Sequence, residues 1–81
     1  MKPAAGVYRL STPGAPPMNF TVNPDGSGKS TLDDWGWNQE QDWFQAARHQ
    51  AFIRCEGEGS FTAYVGVQPG FVVTGTCTKL S

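Results

Sequence analysis

The chain has 81 residues, so it holds at most one small domain and is too short for a multidomain enzyme. Three Trp, two Tyr and five Phe residues provide bulky filling for one core and argue against intrinsic disorder. Six Lys and Arg against seven Asp and Glu give a net charge of −1, which leaves no broad cationic field and excludes nucleic acid as an expected partner.

The chain alternates apolar and polar residues in several short segments, separated by stretches rich in the ten Gly and six Pro residues. Strands are predicted near 7–11, 18–23, 29–33, 52–56, 60–68 and 71–79. In the first two strands Tyr8 and Phe20 point inward. Residues 1–6 form a flexible tail, and 1–81 is treated as a single domain.

The segment 38–50 has two interpretations that stay open at this point. Asn38 is a suitable N-cap for a short helix without Gly or Pro. In that helix a narrow apolar stripe consists of Trp43, Ala46, Ala47 and Ala51. The alternative is another irregular strand over residues 43–48, which the two adjacent aromatic residues favour.

The C-terminal third contains three strands separated by three-residue loops at 57–59 and 68–70, each ending in Gly. This spacing predicts a register in which both Cys55 and Cys77 lie opposite Phe61. The predicted inward residues of the last two strands are Phe61, Ala63, Val65, Val67, Phe71, Val73 and Cys77.

The predicted register also bears on the two cysteines. Strands lie about 4.8 Å apart, so two strand spacings separate the Cα atoms of Cys55 and Cys77 by about 9.6 Å, beyond the ~7 Å limit for a disulfide. We therefore predict two free, buried thiols. One bridge is the alternative if barrel closure brings the two strands together.

The order of motifs along the chain resembles the small lipocalin-like and avidin-like (calycin) β-barrels. The motifs are Gly6-Val7-Tyr8, Asp25-Gly26-Ser27-Gly28, a Trp-rich centre and Thr74-Gly75-Thr76-Cys77. The resemblance implies a closed up-and-down barrel of about eight strands, with a small ligand in its mouth in many members. From chain length we expect a mainly β domain, a small antiparallel barrel or strongly rolled sheet of five to seven strands, with at most one short helix near 38–50.

No motif in the sequence predicts catalysis. Residues 26–31 look like the end of a phosphate-binding loop, but Asn23 stands where its first Gly belongs and no apolar helix follows. His49 is the only histidine, and we expect it at the surface. The carboxylates of Asp33, Asp34, Glu40 and Asp42 lack calcium-loop spacing and predict a solvated acidic patch. We therefore predict no enzyme activity, no metal and no cofactor.

The aromatic residues are the candidate binding site. Trp35, Trp37 and Trp43 lie within nine residues, beside carboxylates and amides, and could stack on a flat ligand. Tyr8, Phe20 and Tyr64 are candidate walls. The predicted function is a small non-catalytic binding module for an apolar or aromatic small ligand.

The alternative function is a protein-interaction or inhibitor domain. Such a domain needs no cavity and docks a partner, or its own copy, through an exposed aromatic patch or a free sheet edge, so both a monomer and a homodimer are considered. A cavity of about 300 Å³ or more separates the two functions. No apolar run approaches the ~20 residues that span a bilayer, so no membrane partner is expected. We expect a cytoplasmic protein, or an exported one if a leader has been removed.

Overall fold

A computed structural model of the protein describes residues 2–56, 59–66 and 70–81, in which all regular secondary structure is β. The strands are β1 (Gly6–Ser11), β2 (Met18–Val22), β3 (Ser27–Lys29), β4 (Asp34–Asn38), β5 (Trp43–Ala46), β6 (Ala51–Glu56), β7 (Ser60–Val65) and β8 (Phe71–Lys79). Each strand pairs antiparallel with the next, and β8 returns to β1 to close a barrel. The predicted β-barrel is confirmed. The predicted number of five to seven strands is wrong, because eight short strands fit into the chain.

The segment 38–50 forms no helix: residues 39–42 make the turn between β4 and β5, and β5 (Trp43–Ala46) confirms the alternative of a strand over residues 43–48. Asn38 does cap a turn: its side-chain oxygen accepts the Gln41 N–H at 3.0 Å, and its carbonyl accepts the Asp42 N–H at 2.8 Å. Asp42 then adopts a φ of 61°, a left-handed conformation that no helix continues through. The cap signal in the sequence was therefore real, but the helical turn ends after four residues.

The predicted third strand is displaced toward the N-terminus. The Asp25 carboxylate accepts the Ser27 N–H at 2.9 Å, so the turn closes early and β3 begins at Ser27. Residues 30–33, which we expected to continue the strand, form the loop to β4, where the Ser30 N–H donates to the Asp33 carbonyl at 3.0 Å.

The predicted register is confirmed for β6 with β7, where Cys55 lies opposite Phe61. It is wrong by two residues for β7 with β8, because Phe61 faces Gly75 instead of Cys77. The reason is that β7 ends at Val65: Gly66 takes a φ of 90°, and its N–H donates to the Gln50 carbonyl at 2.7 Å. A shift of two residues preserves the inward and outward faces. The predicted inward residue Val67 lies outside the described residues.

The packed part of the core fills one end of the barrel, which we call the closed end. It lies at the C-terminal ends of β2, β4, β6 and β8. The ring of Phe20 contacts those of Trp35 and Phe44, with centroids 5.5 and 5.1 Å apart, and Trp37 packs edge-on to Phe44 at 5.1 Å. Gly28 leaves room for this stack, since a Cβ there would lie 2.8 Å from the Phe20 ring.

No helix in the described ranges is long and apolar enough to cross a membrane.

Candidate functional site

The opposite end of the barrel, which we call the open end, contains a cavity of about 300 Å³. Its wall is apolar and receives side chains from strands all around the barrel. They include Leu10, Met18, Trp35, Ala46, Ile53, Ala63 and Val73. Loops 12–17, 30–33 and 47–50 surround the entrance.

The cavity exists because small side chains point inward at this end. An eight-stranded barrel is just wide enough to be filled by its own side chains or to hold one small ligand. At the open end, Ala46, Ala51 and Ala63 line the interior, whereas at the closed end the interior holds the rings of Phe44 and Trp37. Alanine side chains cannot reach across the barrel, so this layer stays unfilled.

A buried carboxylate, Asp33, organises the rim of the cavity. It is only 2% exposed. One carboxylate oxygen accepts the His49 Nδ1–H at 2.6 Å and the Arg48 backbone N–H at 2.9 Å, and the other accepts the Asp34 N–H at 2.8 Å and Arg48 Nε–H at 3.3 Å. Asp33 therefore ties loop 30–33 to loop 47–50. We call this set of contacts the rim latch.

The Asp33 carboxyl of the rim latch is ionised at neutral pH. Burial by itself raises the pKa of Asp33, but the hydrogen bonds from His49, from the backbone of Arg48 and Asp34 and from the Arg48 side chain outweigh it and lower the pKa to about 2. Nδ1 of His49 contacts Asp33, so Nε2 is the ring nitrogen that the latch does not use. The His49 side chain lines the cavity and is 63% exposed. The predicted solvated acidic patch is therefore wrong at Asp33, although Asp34 and Glu40 are exposed.

Of the six predicted site residues, Trp35 lines the cavity. Its Nε1–H donates to Ser30 Oγ at 2.9 Å, which fixes the indole below the rim. Phe20 lies beneath it in the core, and Trp37 lies further toward the closed end. Tyr8 is also buried there, where its hydroxyl donates to the Ala4 carbonyl at 2.6 Å. These three side chains are core residues and do not line the cavity.

Trp43 and Tyr64 lie on the outside of the barrel. The Trp43 ring packs on Phe52 and Tyr64, with centroids 4.5 and 6.0 Å apart, and the Arg54 guanidinium lies 5.4 Å from the Trp43 ring centre. We call these four residues the outer aromatic cluster. Nε1 of Trp43 is buried and has no hydrogen-bond partner among the described residues. The three tryptophans therefore do not form one site.

Apart from Trp35, sequence reasoning missed the residues that line the cavity. The inward position of Ala63 followed from strand alternation, and its small size was the available signal of an unfilled layer. Asp33 and His49 are 16 residues apart in sequence, and no motif connects them; only the closing of two loops over one barrel end brings them together.

Across the described ranges, no three His, Cys, Asp or Glu side chains cluster as a metal site requires. Comparison of the chain with family models, curated proteins and solved structures finds no match.

Proposed function

We propose that this protein is a small non-catalytic binding protein that takes an apolar small molecule into the cavity at the open end of its barrel. The observation that carries the proposal is the cavity of about 300 Å³ with its apolar wall. Ligand pockets in proteins are mostly apolar and begin at about this size. The calycin-like motifs of the sequence point in the same direction.

The volume limits the size of the ligand. An apolar cavity of about 150 Å³ is large enough for benzene, so twice that volume holds a molecule of about twelve non-hydrogen atoms. The indole of Trp35 gives the wall one flat aromatic surface, which suits a planar ring. Leu32 lines the cavity and is 63% exposed, so a bound ligand would cover an apolar side chain that now faces water.

The test is a fluorescence titration with 1-aminonaphthalene, a two-ring probe whose emission shifts to shorter wavelength in apolar surroundings. Ala63→Leu places three further carbon atoms in the cavity, while Thr62→Leu adds a comparable side chain to the neighbouring outward position of β7. We expect Ala63→Leu to weaken probe binding at least about tenfold, because it takes up volume that the probe needs. Thr62→Leu should leave binding unchanged.

Circular dichroism of both variants confirms that the barrel is intact. The proposal fails if the wild-type protein does not bind the probe, or if the two variants bind it as tightly as the wild type.

A second candidate function, docking of a protein partner or of a second copy, is favoured by the outer aromatic cluster. Its buried Trp43 Nε1 lacks a partner among the described residues, which is unusual for an indole. Docking through a free sheet edge has little support, since every described strand has a neighbour on both sides. Sedimentation of the wild type and of Tyr64→Lys tests self-association: concentration-dependent dimers that the substitution abolishes support the candidate, and monomers throughout reject self-docking.

A further inference from the structure

The closed end of the barrel brings two thiols into contact. Cys55 lies on β6 and Cys77 on β8, and their Sγ atoms are 3.3 Å apart. Neither cysteine is in a disulfide in the structure, as the sequence predicted. The register behind that prediction is wrong, because Gly75 and not Cys77 faces Phe61.

The corrected register explains how the sulfur atoms meet across an intervening strand. Cys77 lies two residues beyond Gly75, next to Gly59, whose carbonyl accepts the Cys77 N–H at 2.6 Å. Gly59 has no side chain that could occupy the space between the strands on either side. The Cys77 side chain therefore extends past the start of β7 toward Cys55.

The surroundings of the pair favour thiol chemistry. Cys77 is buried and Cys55 is half-buried, so the pair is shielded but has one member in reach of solvent. The hydrogen bond from the Cys55 thiol lowers the pKa of Cys77, and burial opposes this effect without cancelling it. A thiol with a lowered pKa supplies more of the thiolate, which is the form that attacks disulfides.

We propose that Cys55 and Cys77 form a reversible intramolecular disulfide by exchange with a small-molecule disulfide such as glutathione disulfide. One cysteine thiolate attacks a sulfur of the small disulfide, breaks its S–S bond and releases one small thiolate. The second cysteine loses its proton to solvent and attacks the protein sulfur of the mixed disulfide, which releases the second small thiolate. The two cysteines are oxidised by two electrons, and the small disulfide is reduced to two thiols.

The bond would join β6 to β8 across β7 and so fasten one end of the barrel. A crosslink removes conformations from the unfolded chain, and a loop of this length produces a substantial gain. For a domain of this size we expect the melting temperature to rise by at least about 10 °C. Neither cysteine lines the cavity, so the proposal does not depend on ligand binding.

The experiment incubates the full-length folded protein with glutathione disulfide, then unfolds it without reductant, alkylates it and measures the intact mass. We expect the protein to lose two hydrogen atoms, to take up no alkyl group and to remain monomeric. Dithiothreitol should restore the two hydrogen atoms and allow two alkyl groups to be taken up. Oxidation of the same chain in urea should be at least about tenfold slower, because the unfolded chain does not hold the two sulfur atoms together. Cys55→Ser and Cys77→Ser each remove one thiol and should abolish the rise in melting temperature that glutathione disulfide produces in the wild type.

Three results would overturn the proposal: two alkyl groups per chain after oxidation, crosslinking only between chains, or equal oxidation rates in the folded and unfolded states. The wild-type measurement decides the question even if a serine variant does not fold.

Discussion

Gly75 gives the strictest test of how the barrel closes, because it lies where β8 contacts both β1 and β7. It faces Phe61 on β7, and the next residue, Thr76, pairs with Ser11 on β1. A methyl group on Gly75 would overlap the Ser11 carbonyl oxygen and would lie 2.8 Å from Cε1 of Phe61, where ordinary contact begins at 3.4 Å. A backbone oxygen in a strand pair cannot rotate away, so the strands themselves would have to separate.

We expect Gly75→Ala to lower the free energy of unfolding by about 3 kcal/mol, the upper end of the usual cost of overpacking. This corresponds to a decrease in melting temperature of roughly 12–24 °C for a domain of this size. A chain of this length has a total stability of about 4–12 kcal/mol, so the variant should still fold at room temperature and remain measurable.

The matched control is Gly36→Ala, a second strand glycine with no atom within 4 Å of the added Cβ. Alanine restricts the unfolded chain, so this variant should gain about 0.4–1 kcal/mol. Urea denaturation followed by circular dichroism measures both variants. If Gly75→Ala is as stable as Gly36→Ala, then β1 and β8 do not close the barrel in the described register.

Two further predictions concern the core and the rim latch. Trp35→Ala should destabilise the protein by about 3–5 kcal/mol, because it removes a buried indole, and Trp43→Ala should cost clearly less, because that ring packs on the outer surface. The helical interpretation places Trp43 in a buried apolar stripe and so implies the opposite order; thermal melts of the two variants decide between them. The rim latch should fail in acid: the pKa of Asp33 lies at about 2 in the folded protein against 3.8 ordinarily, so its contribution to stability is present above about pH 4 and is lost as the pH falls toward 2. Urea midpoints should therefore differ between the wild type and Asp33→Asn at pH 5 and converge near pH 2, and a difference that does not change with pH would contradict the latch.

The fold class and the inward faces of most strands could be predicted from the sequence. Side chains of a strand alternate with a period of two, which is a local property, so the inward positions of Tyr8, Phe20 and Ala63 could be predicted without knowledge of any partner strand. The error of two residues between β7 and β8 moved no side chain to the other face, for the same reason. The predicted function survives as a proposal on this basis, since an unfilled barrel layer depends on which residues point inward.

The region around Asp42 shows where local reasoning reached its limit. Asn38 has the same hydrogen-bonding role in a capped helix and in a tight turn, and the residues after it are good helix formers. The turn ends because Asp42 adopts a left-handed conformation. The chain then continues as β5, in which Trp43 and Phe44 lie on opposite faces of the strand. Pairing with β4 and β6 satisfies the backbone of β5, and these long-range hydrogen bonds outweigh helix propensity.

The amino-acid sequence by itself determined the β class, the turn positions rich in Gly and Pro, and the division into inward and outward residues, because each of these depends on neighbours within a few residues. The tertiary structure decided that β4 and β5 bring the number of strands to eight, that Cys55 contacts Cys77 and that Asp33 pairs with His49. Each of these depends on where two distant segments meet, and that position follows from loop conformation and from the closing of β1 onto β8. The cavity belongs to the second group, since three inward alanines leave a space only when the barrel around them is closed.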